Sequence, residues 1–224
     1  MTFRHIETLA YLNFINESSV VYDIGAHVGE TVNFFNENRI PKKIYAFEPC
    51  IKNFEDLKNN TSKFNNVEYF DIALLDRSYS CKTRFRDCRT EEQDAEQDIT
   101  YVNINDFISQ NNLEPPTFMK IDIEGMESLV LNSFTNIFKL ARPIMYVEIH
   151  AKPRDLDIQD YKDCPHWVWL QDGGFDFNKL KKLNYEIFSE KYGLLNLDVD
   201  WNPSEGDHTG YILAPQKIVN WTTR

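Results

Sequence analysis

VVYDIGAHVGE, residues 20–30, is a β-branched, apolar run that ends in Asp23, breaks at Gly25 and meets a second glycine at Gly29 just before a helical pattern begins. It reads as a buried strand, a tight turn and a helix N-terminus. Glycines at such a turn let the backbone approach a ligand closely, and the free N–H groups that open the helix favour a negatively charged ligand group. The spacing narrows the choice of ligand. G-x-x-x-G is not the G-x-G-x-x-G that presses a dinucleotide pyrophosphate onto a helix, so the pattern speaks against a nicotinamide or flavin cofactor.

Ahead of this turn, Arg4 to Asn16 place Ile6, Leu9, Leu12 and Ile15 near helical spacing and predict an amphipathic helix. Behind it, Asn33 to Asn38 continue the helix, and Lys43 to Pro49 (KIYAFEP) predict a short strand that ends in Glu48 and is stopped by proline. Ile51 to Asn60 return to helical spacing, and Val67 to Ala73 predict a third strand. This β-α-β-α-β order demands a mostly parallel sheet with helices on both faces. Asp76 to Asp98 break the rhythm: Lys82, Arg84, Arg86 and Arg89 precede an acidic run with little to bury, which predicts a solvated hairpin or mobile lid over 76–98. Strands resume at Thr100 to Val102, Thr117 to Gly125 and Pro143 to His150, with short helices at Phe107 and Ile108 and over Met126 to Leu131. Residues 151–178, aromatic and proline-bearing, read as a substrate-side insertion. A helix at Asn178 to Leu183, a strand at Tyr185 to Ser189 and a closing strand at Gly210 to Ala214 complete the pattern. No repeat or linker divides it, so a single domain over 1–224 is expected.

The 42% hydrophobic content supplies a full core, and a net charge of -11 argues against gripping nucleic acid or an anionic membrane, both of which need a basic face. No apolar run reaches the length of a membrane span, and the N-terminal MTFRHIETLAYL lacks a signal-peptide core, so a cytoplasmic protein is expected. Cys50, Cys81, Cys88 and Cys164 form no C-x-x-C pair; free thiols are the default.

Four core strands end in a carboxylate, Asp23, Glu48, Asp122 and Glu148. Ligands of an open α/β sheet bind in the crevice outside the carboxyl ends of its strands, so these acids are expected to converge there. An acidic rim does not suit a phosphate-rich nucleotide. It suits a ligand that carries ammonium and sulfonium charges and a ribose diol, as S-adenosylmethionine does.

DIGAHVGE, YAFEP, DIALLD, MKIDIEGME and RPIMYVEIH stand in the order seen in the FkbM-type S-adenosylmethionine-dependent methyltransferases, and K-I-D-I-E-G-M-E is the family-specific block. Over roughly Val20 to His150 the chain resembles that family. The resemblance implies a Rossmann-like class I methyltransferase fold, α/β with a mostly parallel central sheet, helices on both faces and an antiparallel last strand. It further implies O-methylation of a hydroxyl on a small molecule or sugar. Carried onto these residues, it implies that Asp23, Gly25 and Gly29 line the methionine end of the cofactor, with Ala26, His27 and Glu30 in the same turn. Glu48, followed by Pro49, would accept both ribose hydroxyls; Ile72 and Ala73 would meet the adenine, with Asp71 nearby. His27 stands where the family commonly has asparagine.

Removal of the acceptor's proton falls to Asp122, Glu124, Glu148 and His150, with His150 as base and the carboxylates as orienters; Asp122 also borders the cofactor. Glu127 reads as a solvated first-turn acid that favours the helix dipole. The expected partner is a small-molecule or glycan acceptor and not nucleic acid, and nothing bears on oligomeric state. Two other readings stay open. A divalent metal such as magnesium could sit among Asp122, Glu124 and Glu148, and the same scaffold could serve as a binding protein without catalysis.

Overall fold

The computed structural model describes residues 5–84, 96–123, 126–133, 135–149, 177–189, 193–194 and 209–216. Glu124, His150, residues 85–95 and the 151–176 part of the expected insertion, with its tryptophans and His166, lie outside the described residues.

In chain order, helix α1 (His5–Phe14) precedes strand β1 (Val20–Ile24), and α2 (Glu30–Asn38), β2 (Lys43–Phe47), α3 (Ile51–Thr61) and β3 (Val67–Phe70) follow in the expected alternation. Next come β4 (Ala73–Leu75), β5 (Tyr79–Arg84), β6 (Glu96–Asn103), α4 (Ile104–Gln110), β7 (Phe118–Ile121), α5 (Glu127–Ser133), α6 (Thr135–Leu140) and β8 (Ile144–Ile149). The last elements are α7 (Phe177–Lys182), β9 (Tyr185–Ser189), β10 (Gly193–Leu194) and β11 (Thr209–Pro215).

Among the described residues, eight strands form one sheet in the order β10-β9-β11-β8-β7-β1-β2-β3. The pairs β1·β2, β2·β3, β1·β7 and β7·β8 are parallel, whereas β11 lies antiparallel between β8 and β9. The mostly parallel sheet and its antiparallel last strand are as expected. Side-chain alternation along β1 splits the core: Val20, Tyr22 and Ile24 face Ile104, Val130 and Phe138 from α4, α5 and α6, while Val21 faces Tyr11, Phe35 and Leu57 from α1, α2 and α3. Helices therefore cover both faces. Tyr11 anchors α1 to the sheet by edge-on ring contacts with Phe118 and Tyr146, and to α2 by one with Phe35.

Three expectations are corrected. The strand expected over Val67 to Ala73 is two strands: β3 ends at Phe70, and β4 leaves the main sheet to pair with β6. Thr100 to Val102 accordingly belong to a second, three-stranded sheet, β4-β6-β5, and not to the parallel one. The 76–98 segment does form a hairpin, with β5 and β6 antiparallel from Tyr79↔Tyr101 to Arg84↔Glu96, but its base is not merely solvated. Tyr79 stacks on the buried Tyr101 at 4.8 Å, and Tyr79 and Cys81 pack against the core. The third correction concerns thiols, since Cys50 is disulfide-bonded. Among the described residues no helix is long and apolar enough to cross a membrane.

Candidate active site

Strand register builds the site. Ile24 of β1 pairs with Phe47 of β2 and Ile121 of β7, Phe47 pairs with Phe70 of β3, and Ile121 pairs with Val147 of β8. The next residue on each strand therefore falls in one row along the carboxyl edge: Asp71, Glu48, Gly25, Asp122, Glu148. The chain runs β1 to β2 to β3 on one side of β1 and returns to β7 on the other, so the switch of direction falls between Gly25 and Asp122. A ligand crevice is expected at that point.

Glu48 is 6% exposed, and both of its oxygens are engaged: Oε2 accepts the His27 backbone N–H at 2.9 Å and Oε1 that of Cys50 at 2.9 Å. Its carboxylate thereby ties the turn after β1 to the start of α3. Burial pushes the Glu48 carboxyl up to about 7, against the pull of the Cys50 and His27 backbone bonds. His27 itself takes a left-handed φ of 50°, presenting its N–H to Glu48. Ala26 is buried, and Glu30 and Pro49 are half-buried beside the same turn.

Asp23 is a correction. It was expected on the rim with the other acids, but register places it inside β1, opposite Lys120 of β7 and Ala46 of β2, and it is 0% exposed. Among the described residues neither carboxylate oxygen has a hydrogen-bond partner, and Lys120 Nζ lies 3.6 Å from Oδ1. Burial pushes the Asp23 carboxyl up to about 6, Lys120 pulls it down and Asp122 raises it. Gly25 occupies the rim position instead.

Lys120, to which the sequence reading gave no role, is 4% exposed. Its ammonium donates to Gly25 O at 2.9 Å and lies 3.4 Å from Asp122 Oδ2. Burial alone would lower its pKa, but Asp122 and Asp23 outweigh that and hold it above the usual lysine range. The Asp122 side chain remains 28% exposed. Glu127 is a second correction: expected in solvent, it is 1% exposed, and its Oε1 accepts the Ile123 N–H at 3.1 Å, bracing the loop after β7. At the β3 end, Asp71 is exposed, Ile72 is half-buried against the core and Ala73 is buried within β4. Glu148 is half-buried in β8. Among the described residues no group of three or more His, Cys, Asp or Glu is placed to hold a metal ion.

The pKa of Glu48 carries a stability consequence. It is raised from 4.5 to about 7, so between those values the folded chain binds more protons than the unfolded chain. The contribution is fully present below about 4.5 and is lost as pH rises through about 7. Urea unfolding of wild type and Glu48→Gln from pH 5 to 8 is expected to show the wild type's advantage shrinking with pH by about 2–3 kcal/mol. A pH-independent difference would mean that the carboxyl titrates normally.

The sheet order, the antiparallel β11 and the crevice at the β1–β7 switch define a class I, Rossmann-like methyltransferase fold. The Methyltransferase FkbM domain family matches residues 23–177, and the chain belongs to the FkbM methyltransferases, which use S-adenosylmethionine. The methyltransferase FkbM from Methylobacillus flagellatus KT superposes with a TM-score of 0.53 at 17% identity, covering 89% of this chain and 44% of that one. This chain thus spans less than half the length of that protein. An rRNA methylase from Streptococcus thermophilus superposes with a TM-score of 0.50 at 11% identity over 96% of this chain and 98% of that one. At these identities the likeness is one of fold. No curated protein matches the chain.

Proposed function

We propose that the chain, as one methyltransferase domain over 1–224, transfers a methyl group from S-adenosylmethionine to a hydroxyl of a small molecule or sugar. The observation that carries this reading is the row of Asp71, Glu48, Gly25, Asp122 and Glu148 at the switch point, with Glu48 locked by two backbone N–H groups. Each Glu48 oxygen accepts one of these protein bonds and keeps a lone pair, which fits the two hydroxyls of a ribose. When bound, S-adenosylmethionine supplies an electrophilic methyl group on a sulfonium.

The chain's own tasks are then alignment and proton removal. Glu48 holds the ribose, Gly25 and Ala26 let the backbone pass close by, and Asp122 offers a carboxylate to the cationic end of the donor. His150, next in sequence after β8, takes the acceptor's proton on its imidazole nitrogen, with Glu148 two positions from it along the chain. An acid-rich rim helps bind a cationic donor; it does not by itself speed the reaction, because the sulfonium charge fades in the transition state. The net charge of -11 supports a neutral or cationic acceptor over nucleic acid.

Calorimetry with S-adenosylmethionine and S-adenosylhomocysteine tests the reading. Glu48→Ala is expected to weaken binding by about 1.5–3 kcal/mol, the range for hydrogen bonds to a charged group. Ribose hydroxyls favour the ionised carboxylate, so binding near pH 7 should release a proton and affinity should rise as pH passes about 7. Unchanged affinity in a folded Glu48→Ala protein would remove the ribose assignment. Labelled-methyl transfer to a panel of sugars, glycolipid precursors, hydroxy acids and RNA then identifies the acceptor class.

A further inference from the structure

Lys120 stands in a strand whose other residues, Phe118, Met119 and Ile121, are buried and apolar. An ammonium there costs several kcal/mol of hydration, and a buried Asp23–Lys120 pair could be exchanged for apolar side chains with little loss of stability. Stability is therefore a poor reason for the lysine. What no apolar side chain can do is what the ammonium does at its far end, where it holds two neighbours in the rim row: the Gly25 carbonyl at 2.9 Å and Asp122 Oδ2 at 3.4 Å. One buried cation thus ties the turn after β1 to the carboxylate after β7, across the switch point. Asp23, 3.6 Å away and with neither oxygen hydrogen-bonded among the described residues, anchors that cation from beneath by charge.

We propose that Lys120 is a positioning residue for methyl-donor binding, fixing the Asp122 carboxylate and the Gly25 turn in the one arrangement in which both meet the donor. The proposal rests on the reading that this crevice binds S-adenosylmethionine. Lys120 is buried beneath the rim and acts through Asp122 and Gly25, without touching the donor. Asp122, half-buried with one oxygen held from behind, is the group that meets it.

A double-mutant cycle on donor affinity tests this. S-adenosylmethionine and S-adenosylhomocysteine are titrated calorimetrically into wild type, Lys120→Met, Asp122→Asn and the double variant, with circular dichroism to verify folding. Each single change is expected to cost about tenfold in affinity for S-adenosylmethionine, and the double variant well short of the product of the two, since the part of the Lys120 effect that runs through Asp122 is lost only once. Losses that multiply to about a hundredfold would make Lys120 merely structural and overturn the proposal. Should Lys120→Met fail to fold, Lys120→Gln takes its place. The unmodified protein gives the same answer without a lysine substitution: the Lys120 ammonium resonance in ¹⁵N spectra should shift when S-adenosylhomocysteine saturates wild type, and shift less in Asp122→Asn. A resonance unmoved in the wild type overturns the proposal. A wild type that takes up neither ligand fails the methyl-donor reading itself, and this proposal with it; additive losses in a protein that binds both defeat this proposal alone.

Discussion

Gly25→Ala is expected to destabilise the fold by about 4 kcal/mol or more and to abolish binding of S-adenosylhomocysteine, through two effects at one atom. Gly25 has φ +83°, where an L side chain is strained by roughly 1–2 kcal/mol. A Cβ at this position would also lie 1.9 Å from the Asp122 carbonyl oxygen and 3.1 Å from Ile123 Cγ2. The first is backbone at the end of a central strand, so it cannot rotate away. Relief would require β1 and β7 to separate at the switch point, breaking the Asp122 N–H bond to Ile24 O and the Lys120 bond to Gly25 O. Urea unfolding measures the first effect and calorimetry the second; a folded Gly25→Ala protein that binds normally would show that the turn is not held as described.

Gly29 provides the internal comparison. It too has positive φ, +88°, but its added Cβ would meet Thr61 Cγ2 at 2.7 Å and Leu57 Cδ1 at 2.9 Å, both side-chain atoms of α3. Side chains give where backbone does not, so Gly29→Ala should cost less. Trimming Thr61 to serine in the same protein should recover part of the loss. Both glycines therefore serve the protein's own close packing, which the ligand-approach argument from sequence alone had left out.

The alternation of elements was legible because buried parallel strands and amphipathic helices carry different periods, and β1, β2, β3, β7 and β8 lie where their apolar runs lie. The β3–β4 break was not legible. VEYFDIALL runs on with no glycine or proline to mark a break, and what pulls Ala73 out of the main sheet is pairing with Tyr101, a partner distant in sequence. β10 is two residues long, too short for any pattern. In the site, the four strand-end acids could be picked out, but depth could not: register alone puts Asp23 inside the strand and Glu48 on the rim. Glu127 looked solvated because a first-turn acid usually is, and its bond to the Ile123 N–H depends on how the loop folds back. Lys120 left a signal that could have been used. A lysine amid Phe118, Met119 and Ile121, next to a parallel strand bearing Asp23, is a buried ion pair in waiting once the two strands are placed side by side.

That lysine also bears on where the acceptor's proton goes. Asp122, Glu124, Glu148 and His150 were the sequence's candidates, and Asp122 is the one whose carboxylate is engaged by Lys120, at 3.4 Å. Taking up a proton there would cancel one of the two carboxylate charges that hold a buried ammonium, so Asp122 is poorly suited to be the base. The proposed base is therefore His150, imidazole being the side-chain type whose ordinary titration falls near the pH at which a base is most effective. His150→Ala is accordingly expected to lower kcat by about 10²–10⁴-fold while leaving the affinity for S-adenosylmethionine within about twofold of wild type, the mark of a group that acts on the reaction and not on binding. The wild-type rate should climb with pH and level off once the imidazole is neutral, and the variant should lose that inflection. Asp122→Asn should show the opposite split, with its loss appearing chiefly in donor affinity. If His150→Ala retains near-normal kcat with its pH inflection intact, the base is not His150, and Glu124 becomes the residue to replace next.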